Sequence, residues 1–267
     1  MENVDFSSLV SMEEIEKAKE FGSSGDSNYW KPPNGKSVVR LLPRFESKSP
    51  FKTVWTHRSP KNHETHEIGT CLRTWGQKGC PICDKSWKLW NSEIKAEKDL
   101  GYAVKKGERH IYNIYVVKDD EHPENVGQVK LLSVGVKLQQ MITDAASSED
   151  LGLDIYQPEN GFDLEINKNP QGKDGFPDYT SSRFHVKRYT LPIDMGELAK
   201  KLFNIDKLIP VHTAEELKKK FSFLFEGDTT FPSVGSNSNN VKSSSIETST
   251  DESFENDDID EELQKLL

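Results

Sequence analysis

Three cysteines and a group of histidines are the residues whose types and spacing most clearly indicate chemistry. Cys80 and Cys83 form a Cys-x-x-Cys turn, and Cys71 lies nine positions before it. Such a turn lets two thiolates bind one ion, and an earlier segment can complete the tetrahedron that structural zinc prefers. The sequence therefore predicts one structural Zn²⁺ held by three cysteines and one histidine. Spacing alone leaves the histidine open between His57, His63 and His66.

The cysteines also have alternative interpretations. They are either three free thiols or, in part, a redox pair, but no thioredoxin-like βαβ pattern surrounds the Cys-x-x-Cys motif. A catalytic zinc ion needs an open coordination position and a nearby general base. Three cysteines and one histidine fill the coordination sphere, and no His-x-Glu motif precedes Cys80 as a deaminase requires. We therefore expect that the protein is not an enzyme.

Basic and aromatic residues occur together in several segments. Binding single-stranded nucleic acid without sequence preference needs cations along the phosphates and rings that stack on bases. Residues 102–115 and 175–189 supply both. Aromatics at every second position are equally typical of core or cross-strand pairs, whereas Phe176 and Tyr179 fall in a loop bounded by glycine and proline. The candidate contacts from these segments and the cysteine loop are Trp75, Tyr102, Arg109, Tyr112, Phe176 and Tyr179.

The charge of the chain is concentrated at its two ends. The net charge over 267 residues is −9. Residues 251–267 carry eight acids and one lysine, and residues 1–20 carry six acids and two lysines, which leaves +2 for the remainder. Such asymmetry is typical of interaction tails. No apolar run approaches the roughly 18 residues of a membrane span, and the N-terminus has no apolar signal core. We expect an intracellular protein with no membrane partner.

The elements that must position these residues are short strands with few helices and little βαβ alternation. This pattern predicts a fold that is mainly β with helical insertions (α+β), as a barrel or sandwich. The Ser/Asn-rich composition of residues 231–250 predicts a flexible linker. Strands are expected at 37–42, 51–57, 111–117, 128–134, 162–167 and 183–189, with helices at 12–21, at 85–100 and after the N-cap residues Asp194 and Thr213.

Several segments, in the same order, resemble the single-stranded DNA-binding (helix-destabilising) protein family of T-even-type bacteriophages. The cysteines have nearly the family spacing, and residues 29–190 carry the resemblance. The matching segments are Val-Val-Arg-Leu-Leu-Pro at 38–43, Pro50 and Phe51 through His57, Tyr-Val-Val-Lys-Asp at 115–119, Pro-Glu-Asn at 123–125 with Gly127, and Gly175, Phe176, Tyr179 and 182–184.

The resemblance implies an OB-fold core (21–230) that carries a zinc-binding subdomain (about 57–100), with DNA in the cleft between them. It selects His57 as the fourth zinc ligand. It also implies that Arg40, Lys105, Lys106, Phe176, Tyr179 and Arg183 lie near DNA. One departure concerns the adjacent aromatics that the family has before the Val-Val-Lys-Asp strand, where this chain has His110 and Ile111.

The resemblance also assigns roles to the two ends. The disordered acidic C-terminal tail (251–267) is expected to recruit replication and recombination proteins, namely a polymerase, a helicase loader and a recombinase mediator. The N-terminal arm (1–20) is acidic where the family has a basic arm, so self-association on DNA through it is left open. The chain is expected in the cytoplasm of the infected bacterial host. The alternatives are a zinc-containing protein-interaction adaptor and, less favoured by the filled ligand set, a zinc-dependent nucleic-acid enzyme. The tail residues expected to bind partners are Phe254, Asp257, Asp258, Asp260, Glu261 and Glu262.

Overall fold

Seven antiparallel strands form the frame of the described part of the molecule. The computed structural model describes residues 28–44, 47–61, 63–64, 66–172 and 177–225. The predicted arm, linker and acidic tail lie outside these ranges, as does the helix expected at 12–21. The strands are β1 (Gly35–Leu42), β2 (Phe51–Arg58), β3 (Ile68–Thr70), β4 (Gly107–Lys118), β5 (Val129–Val134), β6 (Gly161–Lys168) and β7 (Arg183–Tyr189).

The long strand β4 is the centre of the sheet. The strand order is β3-β2-β4-β1-β6-β7, and β5 pairs with β4 outside this path. The first half of β4 pairs with β2, its second half pairs with β1, and β5 pairs with the middle of β4. The predicted strands appear within a few residues of their expected ends, and the mainly β fold with helical insertions is confirmed. Closure into an OB-type barrel stays a prediction.

Both faces of the central strands are covered, because apolar residues occupy successive positions and not only alternate ones. Residues 109–116 of β4 are all buried. Ile114 packs in the main apolar cluster with Val39 and Ile142. Ile111, an odd number of positions earlier in the strand, packs on the opposite side with Val54 and Ile205. A strand that is apolar on both faces must lie between two layers.

Six helices supply the covering layers of the described structure. Two begin at the predicted N-caps: Asp194 accepts hydrogen bonds from two backbone amides, and Thr213 forms a full capping box with Glu216. The single helix expected at 85–100 is wrong, because two helices separated at 91–94 occupy this region. The helices are α1 (Pro81–Trp90), α2 (Lys95–Ala103), α3 (Val136–Ser147), α4 (Met195–Lys201), α5 (Ile205–Leu208) and α6 (Ala214–Lys220).

The helix α3 was not predicted from the sequence. It buries Leu138 and Ile142 against the main apolar cluster. On the other face of the sheet, Leu198 of α4 packs with Leu42 and Tyr115. Within the described ranges, no helix is both long enough and apolar enough to cross a bilayer.

Candidate metal centre and basic aromatic surface

The structure brings His57 and the three cysteines together from separate elements. His57 lies near the end of β2, where it faces Gly69 of the short strand β3. Cys71 directly follows β3, and Cys80 is the N-cap residue of α1. Cys83 lies in the first turn of α1, which begins at a proline, the residue preorganised for that position. Thus the rigid end of a strand and the start of a helix fix the four side chains.

The distances between the ligand atoms fit one tetrahedral ion. Cys71 Sγ lies 3.6 Å from Cys83 Sγ, and His57 Nε2 lies 3.4 Å from Cys80 Sγ and 3.5 Å from Cys83 Sγ. All four ligand atoms lie within 4.8 Å of one another. A tetrahedral zinc ion with ordinary bond lengths separates two sulfurs by roughly 3.8 Å and a sulfur from a nitrogen by roughly 3.6 Å. The cluster therefore has the dimensions of a closed structural metal site.

The second ring nitrogen of His57 is also held. His57 Nδ1 lies 3.0 Å from the carbonyl oxygen of Val104. A protonated Nδ1 donates to this carbonyl, which leaves Nε2 as the nitrogen that faces the sulfurs. Metal-binding histidines commonly have such a partner, because it fixes the tautomer and the ring orientation. The prediction of His57 as the histidine ligand agrees with this geometry.

Electrostatics in the cluster favours a bound cation. Without one, burial lowers the pKa of His57, but hydrogen bonds with Cys71 and Cys80 outweigh burial and raise this pKa to about 9. Hydrogen bonds from Cys71 and Cys83 lower the pKa of the Cys80 thiol, and the same shared contacts raise the pKa of Cys83. The side chains of the cluster therefore share protons with one another, and a metal ion binds such a group by replacing those protons.

A small apolar cluster surrounds the ligands. Cys71 and Cys80 pack with Ile82 of α1 and with Leu217 and Phe221 at the C-terminal end of the described chain. Trp55 packs against the same cluster, and we call residues 55–106 together with residues 214–225 the metal module.

Close packing fixes the glycine at position 69. A β-carbon there would lie 2.6 Å from Leu217 Cδ2 and 3.2 Å from a ring carbon of Phe221, so a larger residue would force these side chains to move. The contribution of 214–225 was not foreseen in the sequence, which suggested a zinc subdomain of about 57–100.

Two lysines lie over aromatic rings at the surface of the metal module. Lys105 Nζ lies 4.0 Å from the ring centre of Tyr102, and Lys106 Nζ lies 4.8 Å from the ring centre of Trp55. The indole N–H of Trp55 donates to Glu108 at 3.0 Å. Contact between cations and ring faces is favourable and keeps both groups ordered. We call Trp55, Tyr102, Lys105 and Lys106 the basic aromatic surface.

Trp75 lies under a third lysine, Lys52. Lys52 Nζ lies 4.2 Å from the ring centre of Trp75. The lysine also forms an ion pair of 2.9 Å with Asp206 of α5, a carboxylate that Arg44 contacts as well. These two cations lower the pKa of Asp206 against the opposing effect of burial. Trp75 is half-buried against the apolar cluster of Ile205, so it is partly a core residue.

The expectation that Arg40 contacts DNA is wrong for this structure. Arg40 is 0% exposed. Its Nε donates to Asp163 at 2.8 Å, and its other nitrogens donate to the carbonyl oxygens of Gln157 and Tyr189. The guanidinium therefore joins β1, β6 and the end of β7 as a buried ion pair. A buried charge needs such partners, and no face of this group is left for a phosphate.

Tyr112 and Arg109 are also placed inside the protein. Tyr112 is 0% exposed, and its hydroxyl donates to Gln139 Oε1 at 2.7 Å. Its ring stacks on Tyr156 within the main apolar cluster. Arg109 is 4% exposed. The expectation that Tyr112 stacks on a base and that Arg109 binds a phosphate is corrected, because both faces of β4 are covered and both side chains are buried.

The remaining predicted contacts lie at the other end of the sheet. Tyr179 is half-buried against the main apolar cluster. The Arg183 side chain is 70% exposed and lies 3.5 Å from Glu165 of β6. Phe176 lies outside the described residues. Hence Tyr102, Lys105 and Lys106 lie on the metal module, while Tyr179 and Arg183 lie beside β6 and β7.

Two residues of the lysine–ring pairs were missed. Trp55 and Lys52 lie on β2, and neither was singled out from the sequence. Strand periodicity separates them by an odd number of positions, so the sequence alone gave no reason to group them.

One protein-family model matches the part of the chain that contains the sheet and the candidate metal site. The family model described as "gp32 DNA binding protein like" matches residues 33–225, a span that contains all seven strands and the four clustered ligands. The chain therefore belongs to the gp32 DNA binding protein like family. The resemblance noted in the sequence is confirmed.

Two relatives from bacteriophages match most of the chain. It is 30% identical over 225 residues to the "Single-stranded DNA-binding protein" of Enterobacteria phage T4. The matched region covers 79% of this chain and 71% of that protein. It is 29% identical over 225 residues to the "Single-stranded DNA-binding protein" of Enterobacteria phage T2, with the same coverage.

Proposed function

We propose that this protein binds single-stranded DNA without sequence specificity through the basic aromatic surface of the metal module. The observation that carries the proposal is the contact of Lys105 with the ring of Tyr102 and of Lys106 with the ring of Trp55. Lysines neutralise phosphates, and aromatic faces stack on any base. Membership of the family supports the same function.

Zinc is the ion that best suits the ligand set. Three thiolates and one imidazole in a tetrahedral arrangement are typical of structural zinc, whereas hard ions prefer oxygen ligands. The ion, when bound, supplies rigidity to a module whose apolar cluster is small. With four protein ligands the coordination sphere has no position for water. The proposed role is therefore binding and not catalysis.

Duplex destabilisation follows from preferential binding. A protein that binds the single strand and not the duplex shifts the melting equilibrium by mass action. We propose that this activity serves phage DNA replication, recombination and repair in the cytoplasm of the infected host.

The acidic tail is proposed to recruit replication and recombination proteins, with Phe254, Asp257, Asp258, Asp260, Glu261 and Glu262 as its binding residues. These residues lie outside the described structure, so this part of the proposal depends on the sequence and the family alone. A polyanion with interspersed apolar residues can bind a basic groove on a partner.

A salt-dependent titration tests the proposal. Binding of fluorescein-labelled oligo-dT to the zinc-loaded full chain is followed by anisotropy at several salt concentrations. We expect the logarithm of the binding constant to fall linearly with the logarithm of the salt concentration. The double variant Lys105→Ala/Lys106→Ala is expected to lower the magnitude of the slope by about 1.4, because each lost phosphate contact on a single strand removes about 0.7.

A matched control is the pair Lys200→Ala/Lys201→Ala, which removes two exposed lysines of α4. This control is expected to leave affinity and slope close to those of the unchanged protein. If the unchanged protein ignores oligo-dT at low salt, the proposal fails and the adaptor alternative is favoured. If both lysine pairs weaken binding equally, the assignment to the basic aromatic surface is wrong.

A further inference from the structure

Two tryptophans on α1 are exposed although tryptophan is usually buried in a folded protein. Trp87 is 68% exposed and Trp90 is 49% exposed. They are three positions apart in α1, so they lie on the same side of the helix. The metal site and its apolar cluster use other residues of α1, namely Cys80, Cys83, Ile82 and Leu89. Neither indole is therefore needed to build the module.

The exposed tryptophans continue the basic aromatic surface. The ring of Trp90 lies 5.7 Å from the ring of Tyr102, with an angle of 36° between the planes. Tyr102 in turn lies under Lys105. The contacts thus run from Lys105 through Tyr102 to Trp90. Trp87 lies one helical turn before Trp90 on the same side of α1.

The packing of α1 on α2 holds this row in place. Ser86 Oγ donates to the carbonyl oxygen of Gly101 at 2.8 Å. A β-carbon at Gly101 would lie 2.6 Å from the backbone nitrogen of Trp90, so glycine allows the two helices to approach closely beside the row. The rings are therefore presented from a rigid pair of helices and not from a loop. Preorganised rings lose little conformational entropy when they stack.

The charge of this region suits a polyanion. Residues 81–106 contain six lysines and four acids, a net charge of +2. A ring row with this charge is unlike an ordinary protein-docking patch, which is depleted in lysine. Combined cations and aromatic faces are the features that bind single strands.

We propose that Trp87 and Trp90 form an extension of the single-strand site, on which two further bases stack beyond Tyr102. This inference rests on the proposed function and adds residues to it. In this arrangement the metal module is itself a DNA-contacting part, and its ion holds the helix that carries the two stacking rings.

The test uses the zinc-loaded full chain and labelled oligo-dT. Trp87→Ala and Trp90→Ala are each expected to weaken binding at least about five-fold, as alanine substitution of a stacking ring does. The salt slope should not change, because no phosphate contact is lost. Trp87→Phe and Trp90→Phe should recover most of the affinity. The matched control is Leu153→Ala, which removes another exposed apolar side chain (70% exposed) outside the metal module.

A second measurement needs no substitution. Oligonucleotides that contain 5-iodouracil are cross-linked to the unchanged protein by light and the protein is digested with trypsin. Cleavage after the lysines of this region yields peptides 86–88 and 89–95, which contain Trp87 and Trp90 respectively. Cross-links on these two peptides are the expected result.

The outcomes separate this inference from the proposed function. If both alanine variants bind as tightly as the unchanged protein while Lys105→Ala/Lys106→Ala binds weakly, the inference is overturned and the proposed function stands. The inference is likewise overturned if the variants keep DNA affinity but change the sedimentation of the protein, which marks a protein interface. If the unchanged protein binds no oligo-dT, both fail.

Discussion

The strands with their main apolar cluster, which we call the sheet core, and the metal module use the same residue types in opposite ways. In the sheet core, Arg40 and Tyr112 are completely buried, and both are satisfied by hydrogen bonds to protein groups. In the metal module, Lys105 and Tyr102 contact each other at the surface. Basic and aromatic residues therefore stabilise the first region and form the proposed binding surface of the second.

The two regions also differ in what holds them together. The main apolar cluster of the sheet contains fifteen buried residues, whereas the cluster of the metal module contains nine, and two of these nine are metal ligands. A small cluster built around cysteines cannot offset the ordering entropy of a long polar loop as a large core can. The metal module should therefore depend on its ion, and the sheet core should not.

Metal removal should give the largest difference between the regions. Cys80→Ala removes one ligand from a site of a kind that contributes about 10–16 kcal/mol of apparent binding free energy in zinc-finger peptides. We expect loss of the metal and fast hydrogen exchange in residues 57–106, with slow exchange retained in β1, β4 and β6. His66→Ala, at an exposed histidine outside the cluster, is the control and should retain one metal ion per chain.

Acid should have the same effect as ligand loss. In the metal-free cluster the pKa of His57 is about 9, so the ion competes with a proton on this ring as well as on the thiols. Lowering the pH adds protons and weakens metal binding. Metal content measured after dialysis should fall as the pH falls. Metal content that stays constant from pH 8 to pH 5 in the presence of a chelator would contradict this assignment.

Breaking the buried ion pair of the sheet core should give the next largest effect. Arg40→Ala leaves Asp163 buried without its partner, which costs about 3–5 kcal/mol of unfolding free energy. Urea denaturation measures the loss. The affinity of the folded protein for oligo-dT should be unchanged, because Arg40 has no exposed surface. A normal midpoint of unfolding together with weakened DNA binding would return Arg40 to the DNA site.

Two tyrosine-to-phenylalanine variants should sharpen the contrast. Tyr112→Phe removes the hydroxyl that donates to Gln139 in the core, and an unpaired buried acceptor costs about 1–3 kcal/mol. Tyr102→Phe keeps the ring on the surface, and its stability should change by less than about 0.5 kcal/mol. Thermal unfolding of both variants checks the difference. Equal losses in stability would show that the two tyrosines have similar environments.

Deletion of residues 251–267 should have the smallest effect. If the acidic tail occupies the basic surface when DNA is absent, its removal tightens binding to oligo-dT several-fold at low salt and less at high salt, because salt screens the competing charges. Anisotropy titrations of the two proteins at two salt concentrations measure this effect. Unchanged or weaker binding would show that the tail does not occupy this surface, and recruitment would remain as the role of the tail.

Local patterns predicted well where chemistry or capping is local. The spacing of Cys80 and Cys83 indicated a metal site, and Asp194 and Thr213 marked two helix starts that the structure contains. The break between α1 and α2 was missed, although Asn91 and Ser92 are residues that compete locally for backbone hydrogen bonds and do so here.

Tertiary placement could not be predicted in the same way. Arg40 and Tyr112 occupy strand positions that a sequence pattern cannot assign to one face, because the central strands are covered on both sides. Their burial is decided by residues far away in the chain, Asp163 and Gln139. The contribution of 214–225 to the metal module likewise depends on a long-range contact, between Leu217 and the backbone at Gly69.

Lysine footprinting tests the central claim most directly. The zinc-loaded full chain is treated with an acetylating reagent with and without saturating oligo-dT, and the modification of each lysine is measured by mass spectrometry. We predict strong protection of Lys105 and Lys106 and unchanged reactivity of Lys200 and Lys201 on α4. If Lys105 and Lys106 remain as reactive with oligo-dT as they are in the free protein, the binding surface does not lie on the metal module.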